Sequence, residues 1–273
     1  NFKCRMCGDM LSSAWESEQR QHDMINWHDP KNNWMKPEVK KQIERFQETQ
    51  IEAEFAQAVE EHRVEEVYWV GGEPLMYEQH WRYMQRIIEL GDGPRVYARY
   101  NTNLSRIDYK GINLYRDILN RLRDWQICAS IDGTGEIGEY IRTGLDYSSW
   151  LENFTRGVEI SSHARQMRID FTLTLPGMFE IGRVQALADS LQVGLLAKVV
   201  FSFSPDIVMS PLALPRELLE AWIDETISKL ANGSNPLKDI LVQLKTRPTF
   251  QEQWPNEWKN GLAKGKARVL KLE

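Results

Sequence analysis

Cysteine is scarce in this chain, three residues in 273, and its placement excludes a disulfide framework: Cys4 and Cys7 stand close together while Cys128 stands alone. So few thiols, two of them closely spaced, fit a reducing cytoplasmic compartment and a metal or redox site. No apolar run reaches about 18 residues, so the sequence offers no membrane-spanning helix. The first residues are polar and carry cysteines where a signal peptide would need an apolar core. There is no basic excess either. Thirty-four Lys and Arg residues against 39 Asp and Glu leave a net charge of -5, which provides no positive field for a phosphate backbone and argues against nucleic acid as a partner. Internal repeats and low-complexity segments are also missing. What remains, 42% hydrophobic and 27% charged residues, is an ordinary globular composition with enough apolar material for one large core.

Two apolar periods alternate along the chain. Spacings of three and four residues predict amphipathic helices at Val39, Ile43 and Phe46; at Ile51, Phe55 and Val59; at Tyr77, Trp81, Met84 and Ile88; at Leu151, Phe154 and Val158; and at Val184, Leu187 and Leu191. Between them, short β-rich runs over 66–70, 95–100, 125–131, 169–175 and 198–203 have the length of buried strands. Strict alternation of strand and helix implies a parallel sheet. Strands stop after Leu214, where Leu219, Trp222, Ile223, Thr226 and Leu230 mark a helix leading into a helical tail that packs on the sheet.

In such folds chemistry gathers at the carboxyl ends of the strands, where the strand-to-helix loops converge. Polar residues stand at each of these ends: Gly71-Gly72-Glu73, Asn101-Thr102-Asn103, Ser130-Ile131-Asp132-Gly133, Thr172-Leu173-Thr174 and Ser202-Phe203-Ser204. Gly71 and Gly72 permit a sharp turn and close approach of a ligand to the backbone, and Glu73 places an anion beside it, a setting suited to an ammonium group. Ser130 and Asp132, two residues apart, face one side of a strand end. Arg142 is a fixed planar donor.

Cys4-Arg5-Met6-Cys7, Gly71-Gly72-Glu73-Pro74, Asn101-Thr102-Asn103, Ser130-Ile131-Asp132-Gly133 and Tyr140-Ile141-Arg142-Thr143-Gly144 occur in an order that resembles the radical S-adenosylmethionine (radical SAM) superfamily, and within it the twitch-domain radical enzymes. The family motif is C-x-x-x-C-x-x-C. This chain supplies its last two cysteines, and the first falls one residue before Asn1, so the sequence is expected to be a fragment beginning inside the motif. The resemblance implies a partial six-stranded (β/α) barrel of TIM-like type over 1–205, its first strand missing, with a helical C-terminal extension over 206–273. It implies a [4Fe-4S] cluster with Cys4 and Cys7 among its ligands and S-adenosyl-L-methionine on the open iron, cleaved reductively to a 5′-deoxyadenosyl radical that abstracts hydrogen from substrate. Gly71, Gly72 and Glu73 are then expected at the methionine ammonium, Asn101 or Asn103 and Arg142 at its carboxylate or nearby polar groups, and Ser130 with Asp132 at the ribose hydroxyls. Met6 stands where many members place an aromatic residue beside adenine, and a thioether can pack there too.

Implied partners are a substrate that is a peptide, a protein or a small molecule, and an electron donor such as flavodoxin or ferredoxin. No cysteine follows Cys128, so an auxiliary cluster in the tail is not expected. Cys128 reads as a buried small hydrophobe, His22 and His28 as solvated residues, the segment 60–66 as a charged helix end, and Trp81 and Trp150 as core. Two other classes compete with the enzyme: a non-catalytic barrel used as a binding module, and a zinc protein built on Cys4 and Cys7, which would need two more ligands.

Overall fold

The computed structural model describes residues 2–7, 12–23, 25–230 and 235–270; Asn1, before which the family motif's first cysteine is expected, lies outside the described residues. In chain order its elements are β1 (Lys3–Cys4), α1 (Ser13–Gln21), α2 (Pro37–Phe46), α3 (Glu52–Glu60), β2 (Glu66–Trp69), α4 (Glu78–Glu89), β3 (Tyr97–Thr102), the short pair β4 (Asp108–Tyr109) and β5 (Ile112–Asn113), β6 (Asp124–Ile131), α5 (Gly135–Ile141), β7 (Arg142–Thr143), α6 (Tyr147–Ile160), β8 (Met167–Leu173), α7 (Ile181–Ser190), β9 (Gly194–Val199), α8 (Arg216–Lys229), α9 (Pro236–Thr246), α10 (Phe250–Gln253) and α11 (Trp258–Leu270). This is an α/β protein whose longer strands pair in parallel. The chain divides into two compact units, one made of Asp9–Asn101 with Arg106–Gln126, the other of Phe2–Gly8, Thr102–Ser105 and Ile127–Glu273. Among the described residues no helix is long and apolar enough to cross a membrane.

In the first unit β2 and β3 run parallel, Glu66 opposite Tyr97 through Trp69 opposite Tyr100, with α4 between them in sequence. The apolar stripe of α4 is buried at Trp81, Tyr83, Met84 and Ile87. Ion pairs Arg82 to Glu52 and Arg86 to Glu60 tie α4 to α3. The stripe at Val39, Ile43 and Phe46 does form a helix, α2, but α2 buries none of its residues, and Ile43 and Phe46 are exposed. A π-turn at Gln47–Ile51 joins α2 to α3 and shifts the helical phase there.

His80 on α4 sits in this core, packed edge-on against Trp69, Trp81 and Tyr100, with Nε2 3.1 Å from the Tyr100 hydroxyl. Its Nδ1 has no hydrogen-bond partner among the described residues, and burial pushes the imidazole down to about 3. The folded protein therefore holds His80 neutral, while the unfolded chain takes up a proton below about pH 6.5. Stability from this group is full above that pH and falls by about 1.4 kcal/mol per unit as the pH drops toward 3. Urea unfolding at pH 7 and pH 5 should show the native protein losing about 2 kcal/mol more than His80→Gln. Equal losses would rule out His80 as the titrating group.

In the second unit β6, β8 and β9 pair in parallel, Ile127 opposite Met167 to Ile131 opposite Phe171, and Arg168 opposite Gly194 to Leu173 opposite Val199. One face of this sheet is apolar throughout: Ile127, Ala129 and Ile131 on β6, Met167, Ile169, Phe171 and Leu173 on β8, Leu195, Ala197 and Val199 on β9. Helix α6 packs on β8, and α7 and α9 pack on β9. The last strand lies four residues earlier than the sequence pattern predicts. Gln192 turns the chain at φ +54 directly after α7, so β9 begins at Gly194 and has ended before Ser202 and Phe203. In the tail, α11 approaches the segment 205–208 closely through two glycines four residues apart. A Cβ on Gly261 would stand 2.7 Å from the Pro205 side chain, and one on Gly265 2.2 Å from the Asp206 carbonyl oxygen.

Candidate functional site

The cysteine turn is built into the second unit by a two-residue antiparallel ladder. Lys3 pairs with Thr143 and Cys4 with Arg142, and the Arg5 amide continues it by donating to the Ile141 carbonyl at 2.8 Å. Arg5 also clamps the turn from outside: its guanidinium lies over the Tyr140 ring at 4.1 Å and donates to the carbonyls of Tyr140 (2.6 Å) and Val269 (3.3 Å). Gly144, at φ +103, lets the chain leave β7 beside the Phe2 ring. Within the turn the Cys7 amide donates to the Cys4 carbonyl at 3.0 Å, Met6 is half-buried, and Arg268 on α11 donates to the Cys7 carbonyl at 3.2 Å.

This turn brings the two sulfurs together. The hydrogen bond between them, with burial, pushes the Cys4 thiol up, while accepting that same bond holds Cys7 below the ordinary thiol value against the opposing effect of burial. Cys7 is thus the more acidic thiol of the pair and Cys4 the donor in their hydrogen bond, and the Arg142 charge favours ionisation of both. Arg142 in turn grips Asp132 with two parallel bonds, Nε to Oδ2 at 2.6 Å and Nη2 to Oδ1 at 2.9 Å, and Asp132 is fully buried. Burial works against the guanidinium charge, but Asp132 and the two sulfurs outweigh it and hold the pKa of Arg142 above its usual value.

The loop leaving β6 is shaped by close backbone contacts. A Cβ on Gly138 would stand 2.3 Å from the Gly133 carbonyl oxygen, and one on Gly177 2.6 Å from that of Asp132. The buried Glu180 carboxylate accepts from the Thr134 amide at 2.9 Å and from the Thr134 hydroxyl. Ser130 Oγ is 3.5 Å from Asp170 Oδ2. Asn103 is buried, and its Oδ1 accepts from the Ser105 amide at 3.0 Å, which closes its own loop.

In the first unit Gly71 (φ +86) and Gly72 (φ +49) both take the left-handed conformation that a side chain would strain. Beside Gly71 there is open space, whereas a Cβ on Gly72 would stand 2.6 Å from the Tyr77 hydroxyl. Glu73 follows, buried, its Oε1 accepting from the Leu75 amide at 3.2 Å and capping the 3-10 turn Pro74–Met76. Asn101 is half-buried on β3.

The structure thus joins Cys4, Cys7, Asp132 and Arg142 in one connected group, with Met6 in the same turn and Ser130 two residues before Asp132. Asn103 belongs to that unit, and Gly71, Gly72, Glu73 and Asn101 to the other. Among the described residues no group of three or more His, Cys, Asp or Glu side chains is assembled for a metal ion. Arg5, Arg268 and Glu180 brace the site and carry no motif signal. Glu180 lies seven residues past the end of β8, as the last residue of the 3-10 turn Pro176–Glu180.

No family model matches the sequence, and no curated protein matches it. Among solved structures, Streptococcus suis SuiB bound to its precursor peptide SuiA aligns over 93% of this chain and 52% of its own at 16% identity, with a TM-score of 0.49. SuiB bound to S-adenosylmethionine aligns over 66% and 39% at 17% identity and a TM-score of 0.44. A further SuiB structure aligns over 81% and 58% at 13% identity, also with a TM-score of 0.44. The chain therefore spans from 39% to 58% of the solved chains it is similar to.

Proposed function

We propose that this chain is part of a radical S-adenosylmethionine enzyme: a partial (β/α) barrel over 1–205 with a helical extension over 206–273, acting in the cytoplasm. One observation carries the reading. The pairing of Cys4 with Arg142 sets the Cys4–Cys7 turn against the Asp132–Arg142 ion pair at the end of β6, joining motifs about 130 residues apart that the chemistry requires in one place. The donor set fits a cluster shared with an outside ligand. Two sulfurs in mutual contact, Cys7 the more acidic of them, are the donor type such a cluster takes, and a third thiolate would still be needed. A closed zinc site would need two ligands besides Cys4 and Cys7.

When bound, the reduced cluster and S-adenosylmethionine together supply a 5′-deoxyadenosyl radical able to abstract hydrogen from substrate. The protein's part is to bind, orient and shield. Cys4 and Cys7 hold iron. Arg142, fixed by Asp132, presents its guanidinium toward the cofactor carboxylate, and Ser130 serves the ribose. Glu73 with Gly71 and Gly72 receives the ammonium, Asn101 or Asn103 joins Arg142 at the carboxylate or nearby polar groups, and Met6 packs beside adenine. A peptide substrate and a flavodoxin or ferredoxin as electron donor complete the proposal.

Glu73→Ala tests the cofactor assignment apart from the iron. A charge-assisted hydrogen bond contributes about 1.5–3 kcal/mol, so the variant should bind S-adenosylmethionine roughly 10–100-fold more weakly by calorimetry. Iron content after anaerobic reconstitution should match that of the unaltered protein. Unchanged affinity would remove Glu73 from the site.

A further inference from the structure

Parallel strands enclosed on both faces read as nearly continuous apolar runs. The sheet of β6, β8 and β9 keeps to that on one face only. On the other, register places Cys128 beside Arg168 and Gly194, Ser130 beside Asp170 and Leu196, and Thr172 beside Lys198. Asp170 is buried, and such a carboxylate needs a partner. It has one in Lys198, whose Nζ stands 2.6 Å from Oδ2 while 53% of the lysine side chain remains exposed.

The contrast with the neighbouring pair is informative. Arg142 and Asp132 are both buried, and the carboxylate takes up the Nε and Nη2 donors of the guanidinium in a bidentate grip. An ammonium has three N–H donors; Asp170 engages one, and the exposed head leaves the others accessible. Arg168 adds a second positive charge to the face. It reaches over Gly194, where a Cβ would stand 3.1 Å from its Nε, and no carboxylate pairs with it among the described residues. Arg168 stands four register positions from Lys198, toward the amino ends of the strands, so the face as a whole carries two cations against the one carboxylate of Asp170, a single surplus positive charge that matches a carboxylate better than a phosphate dianion. Beyond these strand ends Phe201, Phe203 and Phe179 are each at least 75% exposed, apolar surface suited to what the carboxylate is attached to.

We propose that this face is a substrate site for a carboxylate flanked by an apolar group, with Lys198 as its anchor, Asp170 as the residue that positions Lys198, and Arg168 as a second cation. The word substrate rests on the radical reading above; the carboxylate site stands on the sheet geometry alone.

Calorimetry on the full natural chain at low ionic strength would use three probes: N-acetylphenylalanine, a short end-blocked peptide with one glutamate between leucine and phenylalanine, and the same peptide with glutamine in place of glutamate. At least one carboxylate probe should bind about tenfold or more tightly than the glutamine peptide. Whichever does so tells a free acid from a peptide side chain. Lys198→Met should lose that preference and Lys198→Arg should keep it. Since Lys198→Met leaves a buried carboxylate without its cation, Asp170→Asn/Lys198→Met is measured beside it, with circular dichroism as the check on folding, and should lose the preference too. Equal binding of the glutamine peptide, an unchanged preference in the double variant, or no binding of either carboxylate probe would overturn the proposal. S-adenosylmethionine is titrated into the same samples. If the unaltered chain fails to bind it, the radical reading falls while the carboxylate result stands.

Discussion

Asp132→Ala should lower the stability of the protein by about 3–5 kcal/mol, because it leaves the Arg142 guanidinium charged and without its partner in a site that water hardly reaches. Arg142→Met should cost a similar amount by stranding Asp132, whose side chain is fully buried. The double variant Asp132→Ala/Arg142→Met should regain most of the loss, since removing both charges of a buried pair also removes their desolvation cost. Denaturant unfolding measures all three. Additive losses in the double variant would mean that the two residues do not act as a pair. The same series separates structure from function: a refolded double variant that no longer binds S-adenosylmethionine shows that the pair serves the cofactor, whereas one that binds it normally assigns the pair to the fold alone.

Much of the architecture was legible because periodicity survives in the chain. The strand at 125–131 appears as β6 and that at 169–175 as β8 two residues earlier; the stripes around Trp81, Phe154 and Val184 appear as α4, α6 and α7. Trp81 and Trp150 are core residues, as their positions on apolar stripes imply. Reading failed where local geometry overrides pattern. The turn at Gln192 starts β9 early, and the apolar stripe of α2 is left facing solvent, a matter of tertiary partners that no single helix encodes.

The candidate site was legible as residue types but not as an arrangement. Nothing in the periodicity announces a two-residue strand, so the ladder that places Cys4 opposite Arg142 could not be read. The mutual grip of Asp132 and Arg142 was equally hidden, since the sequence suggested a separate contact for each. Asp170 and Lys198 required the register of β8 against β9, where a polar residue at alternate strand positions is the signal. Arg5 and Arg268 act through backbone carbonyls, a type of contact that leaves no mark on spacing.

The most direct measurement is product release by the full natural chain, reconstituted with iron and sulfide without oxygen and given S-adenosylmethionine and a strong reductant. The account predicts 5′-deoxyadenosine and methionine from the unaltered protein and none from Cys4→Ala or Cys7→Ala, each of which would remove a thiolate from the proposed iron site. A protein that holds a reducible cluster and binds S-adenosylmethionine, yet forms no more 5′-deoxyadenosine than the cysteine variants even with peptide and cell-extract substrates present, would contradict it and leave a binding module in its place.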